Sequence, residues 1–529
     1  MKRDTNIPGE TAVSPTKAKQ PLIGLAALAC WAAALAALLL LLRAGHAAQG
    51  HLVHSDALYL PVLFEDVFRR GSSFSDWYLT PAPYFFPDML IYLAAWLAGG
   101  DAFRQTLLFA LLQTALAGGA LYFLARRALA RDRMLAAATV AILLIWLGLH
   151  AGDPFVRLFS SAHHYGAFLV AIVMAALWLG LDAGRGPLPG RPAAAAIAVL
   201  AWLTALSDAL FLVQAVLPLL AAALLCRHGA PRATAPRRAF LLLLAPALLG
   251  MLSYKLVVAH PTRHGSRLGL SRLPDNLAEL GRICATLFGE RPLLAAALLL
   301  ALGLGAACML AGLRQRPLSF LPRPLQLLAA FATLSCAATV AVMLLSTNWL
   351  PVARYLISAL SWPLVAGVFA LAHLAGPRFR YVGLALCLVF AAWLATDAWK
   401  VRDARSAQDY YYPEQIACLD RALADAGARH GIAQYWDAKR LQGLSRLPLS
   451  VAQYTNQLEP MKWITSERFF RPDYEFAIIA DREAEEFRLP RARLAELNGE
   501  PARTITCGDR TLLLYGKGGL RLPFGPSGN

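Results

Sequence analysis

Charge is what this sequence has least of. Only 16% of its 529 residues are Asp, Glu, Lys or Arg, and only 33 of those are acids. So sparse a charge cannot solvate an ordinary globular surface of this size. The familiar signatures of soluble chemistry are missing too. No P-loop, GxSxG elbow, HExxH or paired CxxC occurs, so nucleotide-driven transport, serine hydrolysis and common zinc catalysis have no local basis. The hydrophobic pattern shows no repeat, which weakens a transporter built from two related halves.

What is present is apolar length. Hydrophobic residues make up 58% of the chain, the mean hydropathy is +0.49, and runs such as Leu22 to Leu42 and Leu293 to Leu313 suffice to cross a bilayer. The pattern predicts an α-helical polytopic membrane protein with about eleven transmembrane helices. The net charge of +17 falls in short arginine clusters between the runs rather than on one basic face. It therefore reads as membrane topology, and nucleic acid is not an expected partner. Clusters at Arg126 to Arg133, Arg185 and Arg191, Arg227 to Arg238, Arg314 to Arg323, and Arg378 and Arg380 all agree on one orientation. The N-terminus is then cytoplasmic, with residues 1–20 a disordered tail. The membrane domain spans 21–398 and its first outer loop 43–102. Phe85 to Leu97 is too short to span and belongs at the outer surface.

Residues 399–529 return to the composition of a soluble domain, expected to be a small periplasmic α/β unit. Pro413 to His430 has a helical period with Gly431 as its cap, and Phe476 to Ala480 and Thr511 to Tyr515 read as buried strands. Cys418 and Cys507 fall on the oxidising side of a bacterial-type envelope. A disulfide is compatible with that placement, but spacing alone leaves the pairing open. The other six cysteines lie in or beside apolar spans, as packing residues.

The stretch from Gly50 to Asp88 concentrates the scarce acids: Asp56, Glu65, Asp66, Asp76 and Asp88. A carboxylate on an outer loop can act as a general base, a second can orient it or hold a divalent cation beside a phosphate, and arginines can hold the phosphate itself. Asp56 also reads as the N-cap of a helix starting at Ala57. Glu65 and Asp66 also read as the solvated face of an amphipathic helix, and Asp153, before Pro154, as a turn residue. Trp77 and Tyr84 could stack on a sugar or form an interfacial belt. His163 and His164 are polar candidates whose adjacency on a regular helix would prevent chelation. Arg263 and Arg267, outer and basic, could hold a lipid phosphate. Arg354 lies outside against the positive-inside trend, and the cluster from Tyr435 to Arg440 could meet a glycan.

His54-Ser55-Asp56-Ala57-Leu58-Tyr59 resembles the acidic signature after the first span of GT-C membrane glycosyltransferases, notably the protein mannosyltransferase and aminoarabinose transferase branch. Asn348 to Tyr355 resembles the Arg-Tyr segment that opens a late helix in that superfamily. The resemblance implies a GT-C-like fold in the inner membrane and a polyprenyl-phosphate sugar donor entering from the bilayer. It also implies inverting transfer to a glycan, lipid or protein acceptor. Asp56 would be the base, Asp153 a second acidic site, and Arg354 with Tyr355 the donor-phosphate contacts. Glu65, Asp66, Trp77, Tyr84, His163 and His164 would line the substrate. The family often has Asp-Glu where this chain has Asp56-Ala57, so Asp56 would work alone or with a distant carboxylate. A polysaccharide polymerase or ligase, and a lipid-linked glycan transporter, remain the alternatives.

Overall fold

The computed structural model describes residues 20–45, 51–182, 190–226, 236–262, 267–402, 411–481 and 484–522. Among these, nine helices are long and apolar enough to cross a bilayer: Pro21–Arg43, Ala102–Ala128, Arg133–His150, Tyr165–Asp182, Arg237–Val257, Pro292–Leu313, Arg323–Leu345, Ala353–Leu374 and Gly376–Val401. Three shorter apolar helices accompany them, Asp88–Leu97, Arg191–Ser207 and Leu212–Leu225. The sequence count of about eleven also took in the stretches of the second and third short helices, and nine of the counted spans are long and apolar enough to cross. Asp88–Leu97, at ten residues, stays too short, as the sequence indicated.

With lipid on one side and no hydrophobic drive between helices, close packing has to come from small residues. Gly118 does this, because a Cβ there would fall within 2.3 Å of the Trp31 ring. Tyr165–Asp182 is enclosed almost all round, whereas Pro292–Leu313 is mostly exposed to what would be lipid.

One end of the bundle carries the polar loops and the C-terminal segment, joined by a small sheet of three distant stretches. Strand β1 (Trp77–Leu79) pairs in parallel with β2 (His260–Pro261) and antiparallel with a later strand, Thr465–Ser466. The first loop, a middle loop and the C-terminal segment are thus hydrogen-bonded into one unit. Nearby, Thr347 N donates to Arg267 O at 2.9 Å, and Asn276 Nδ2 donates to the carbonyls of Leu344 (2.9 Å) and Ser346 (2.7 Å). These bonds fix the loop that leads into the 3-10 turn Ala353–Leu356 and the helix Ile357–Leu374.

The C-terminal segment is an α/β unit. Its five strands are β3 (His430–Ala433), β4 (Ser450–Gln453), β6 (Phe476–Ala480), β7 (Arg503–Cys507) and β8 (Arg510–Leu514), with Thr465–Ser466 counted as β5. Their order is β4-β3-β6-β8-β7, with β3 parallel to both neighbours and β8 antiparallel to β6 and β7. Two expected strands are present, the second one residue earlier than read. The expected helix is shorter, ending at Asp425, and Gly427 at φ +63° takes the left-handed turn. Gly431 is therefore not a helix cap. It lies in β3, where a Cβ would fall 2.2 Å from the Phe476 ring, so glycine is required for the two strands to approach.

Cys418 and Cys507 form a disulfide across 89 residues, tying the helix Glu414–Asp425 to β7. The six other cysteines are free and buried or half-buried. Closing so long a loop stabilises chiefly by restricting the unfolded chain. Replacing both cysteines by serine should lower the stability of this unit by about 2–4 kcal/mol, read as thermal unfolding of the purified protein. Non-reducing peptide mapping should recover the linked pair in the wild type.

Candidate active site

Asp56 does not cap a helix. The helix after it begins at Tyr59 with no side-chain cap, and the Asp56 carboxylate turns instead to two residues far away in sequence. Oδ2 accepts from Arg354 Nη1 at 3.0 Å, and Oδ1 accepts from the Tyr435 hydroxyl. The Asp56 side chain is 14% exposed and that of Arg354 31%. A carboxylate held this far from water persists as an anion only if paired and hydrogen-bonded. Burial alone would raise its pKa, but Arg354, His54 once acid protonates it, the Tyr435 hydrogen bond and Lys439 together hold the carboxyl below the usual range.

Behind Asp56 stands His54. Its Nδ1 is 3.2 Å from the Asp56 amide and its Nε2 3.0 Å from Arg157 Nη1. A neutral imidazole has one lone pair, so it accepts from only one of these donors. Burial pushes His54 down to about 4, outweighing the pull of Asp56, so the ring is neutral near pH 7. Arg157 is itself clasped by Asp153, with bonds of 2.5 and 2.8 Å to the two carboxylate oxygens. Asp153 thus reaches Asp56 through Arg157 and His54.

The segment around His163 and His164 is not helical. Positive φ at Ala162 and His164 (60° and 67°) turns the two rings to opposite tasks. The His163 ring lies 5.2 Å from that of His54, while His164 Nδ1 bonds Asp208 Oδ2 at 2.7 Å and Nε2 lies 3.4 Å from the Tyr84 hydroxyl. The Tyr355 ring lies tilted beside that of His164, with centroids 5.3 Å apart, and the Arg354 guanidinium lies 5.4 Å from the Tyr355 ring centroid. Asp56, Asp153, His163, His164, Tyr84, Arg354 and Tyr355 therefore belong to one connected cluster.

Other expected residues lie elsewhere. Asp66 is not on a solvated face: it is 4% exposed and accepts from Trp77 Nε1 at 2.9 Å. The reason is local, since Glu65–Arg69 continues the preceding helix as a π-turn that swings Asp66 inward. Trp77 is fully buried against Tyr59 and Phe469, which makes it packing rather than a sugar platform. Glu65 pairs with Arg69 at 3.2 Å and lines a polar cavity of about 270 Å³ between the first loop and the C-terminal unit. Arg267 is exposed and contributes its backbone to the loop pairing. Arg263 lies outside the described residues.

Tyr435 and Lys439 complete the cluster, although only their stretch, and not these two side chains, stood out in the sequence. Lys439 has no solvent exposure, its ammonium lies 4.5 Å from the Tyr435 ring centroid, and burial lowers it to about 7.

His54, Asp56 and His163 each offer a ligand atom, all within 4.8 Å of one another. His163 has the arrangement of a metal ligand: Nδ1 donates to Ser161 O at 2.6 Å, and the buried Nε2 finds no partner among the described residues. The rest of the set does not fit an ion. Both Asp56 oxygens are taken and a guanidinium stands at His54 Nε2, so positive charge already occupies the place.

No protein-family model matches the chain, and no curated protein matches it by sequence. The fold does have counterparts among solved structures. The crystal structure of ArnT from Cupriavidus metallidurans bound to undecaprenyl phosphate is similar, with a TM-score of 0.53 and 15% identity over 94% of this chain and 98% of that one. The apo structure of the same ArnT gives the same TM-score, 0.53, at 14% identity and equal coverage. The chain has a GT-C-like membrane fold with small sheets in its C-terminal region.

The electrostatics predict two outcomes. Arg354→Gln should destabilise the protein by about 1–3 kcal/mol, because it strands a half-buried carboxylate. Adding Asp56→Asn should recover part of that loss in thermal unfolding. For pH, His54 is depressed from 6.5 to about 4, so the unfolded chain binds its proton first. Stability should therefore fall as pH drops from about 6.5 to about 4, and His54→Gln should flatten that slope in denaturant melts.

Proposed function

We propose that this protein is a glycosyltransferase of the bacterial inner membrane that moves a sugar from a polyprenyl-phosphate donor to an envelope acceptor on the periplasmic face. The observation that carries the reading is the Asp56 centre, one carboxylate kept ionised by Arg354 on the polar loops of a GT-C-like bundle. The N-terminus is cytoplasmic in this reading. Residues 21–398 form the membrane domain, and 399–529 the periplasmic domain.

An apolar groove of about 550 Å³, lined by Pro87, Leu90, Ile91, Leu116, Phe123 and Leu169, is suited to a prenyl chain. Its Phe86-Pro87 end adjoins Tyr84, whose hydroxyl lies 3.4 Å from His164 Nε2, and the Tyr355 ring lies 5.3 Å from that of His164, so a lipid with its head at this end would bring its phosphate toward the Tyr355 and Arg354 side of the cluster. ArnT was crystallised with undecaprenyl phosphate, which is consistent with a ligand of this class.

The chemistry follows from the geometry. Asp56 takes a proton from the acceptor nucleophile, which attacks the anomeric carbon opposite the phosphate, inverting it. The C–O bond to the phosphate breaks, and Arg354 meets the negative charge that develops on the leaving group. Arg354 is paired to the base now and shifts its hydrogen bonds toward phosphate when donor arrives. Asp153 holds Arg157 against His54 and keeps the wall behind the base in place.

The test is transfer of labelled sugar from polyprenyl-phosphate donors to an envelope extract by protein in nanodiscs. Asp56→Asn should lose about 10²- to 10⁴-fold in rate while still binding undecaprenyl phosphate. Equal rates would remove Asp56 from the mechanism. No transfer from any donor, with the lipid still bound, would favour a lipid-linked glycan transporter.

A further inference from the structure

Arg354 holds one oxygen of Asp56, and Tyr435, 379 positions away, holds the other. Tyr435 opens the helix Tyr435–Leu444, directly after β3, and that helix is fastened at both faces. Toward the sheet, Gln434 caps it by accepting from the Trp436 amide at 2.8 Å and donates to Asp437 Oδ2 at 3.0 Å. Asp437 Oδ1 accepts from Arg510 Nε on β8 at 2.8 Å, with both side chains buried. Toward the membrane bundle, Ser55 Oγ lies 2.7 and 2.9 Å from the carbonyls of Tyr435 and Trp436 and shares its single proton between them. Two turns further on, Gly443 lies against Leu58, where a Cβ would come within 3.3 Å of the leucine side chain. The helix is seated along residues 55–58, with no slack at its first turn.

Lys439 sits under the tyrosine. It has no solvent exposure, and with the Gln453 amide turned so that its oxygen faces the ammonium, one bond of 2.6 Å holds it. Its charge faces the Tyr435 ring at 4.5 Å. Burying a lysine against a neutral amide and a ring is costly. The cost has a use if the group is needed beside Asp56.

We propose that Tyr435 is a positioning residue for the base, braced by Lys439, so that the C-terminal unit supplies part of the active site. This inference rests on Asp56 being the base. The Tyr435 hydroxyl fixes the rotation of the carboxylate by holding Oδ1, while Oδ2, on the Arg354 side, faces the reaction. When donor phosphate draws Arg354 away, Tyr435 is the contact that keeps Asp56 in place.

The groups that set the charge on Asp56 come from every element around it. Arg354 comes from the 3-10 turn, His54 from the first loop, and Tyr435 and Lys439 from the seated helix. His51, Asp153, Arg157 and His163 stand behind His54. The hydroxyl and the ammonium both favour the carboxylate over the acid. Removing either should therefore raise the pKa of Asp56 and move the acid limb of the rate profile to higher pH.

The experiment measures kcat, KM for donor and the pH dependence of kcat/KM for wild type, Tyr435→Phe and Lys439→Met in nanodiscs. Undecaprenyl phosphate binding in the same discs serves as the check on folding. Tyr435→Phe should lower kcat by about ten- to a hundredfold with KM for donor unchanged, and shift the acid limb upward. Lys439→Met should shift it in the same direction with a smaller loss of kcat. A purely packing role for the ring predicts no movement of the limb, since phenylalanine fills the same space. An active wild type whose limb stays fixed in both variants overturns this inference and leaves the proposed function standing. If Tyr435→Phe fails to bind lipid, the limb in Lys439→Met decides. A wild type inactive with every donor overturns the proposed function and this inference together.

Discussion

The arrangement depends on keeping one carboxylate ionised where little water reaches it. A buried anion left alone would take up a proton or unfold its surroundings. The fold prevents this by bringing a guanidinium from one end of an apolar helix and a phenol from the C-terminal α/β unit to the two oxygens of Asp56. Much of the polar architecture serves that convergence. The bonds among Arg267, Thr347, Asn276 and Ser346 hold the approach to Arg354, and the Gln434, Asp437 and Arg510 network holds the approach to Tyr435.

The same constraint accounts for the secondary residues. His54 and His163 pack their rings together and are kept neutral by burial, so they add polarity near Asp56 without adding charge that would oppose Arg354. Asp153 neutralises Arg157, which would otherwise leave a second cation free to compete for the Asp56 carboxylate. Tyr84, His164 and Asp208 form a parallel chain under Tyr355. The cluster works as a balance of charges, and that is why an additional cation does not fit among its ligand atoms.

How much of this could be read from the sequence follows from the range of each interaction. The nine long spans were legible because bilayer thickness imposes a length on each, whereas the two shorter apolar helices enter the sequence count only through the arginine alternation. Asp56 and Arg354 were legible through short local strings that resemble a known family. Their pairing with each other across 298 positions was not. Asp66 was misread because an amphipathic period assumes a regular helix, and the π-turn at Glu65–Arg69 breaks the phase by which face is judged. Gly431 was misread as a cap because the glycine signal is the same whether a chain must turn left-handed or pass close to a ring. The stretch from Tyr435 to Arg440 stood out in the sequence, but the contact of Tyr435 with Asp56 across 379 positions did not.

The three-stranded sheet also has a meaning for how the protein is made. Its strands come from residues 77–79, 260–261 and 465–466, so it cannot close until a ribosome has passed the last of these. A growing chain that has already inserted its membrane helices has Asp56 and Arg354 in hand, yet lacks the phenol and the strand that seat the C-terminal unit. During synthesis such a chain carries an unfinished centre, which becomes whole only when the C-terminal unit folds back onto the first loop. Order of manufacture thereby ensures that the site is assembled last.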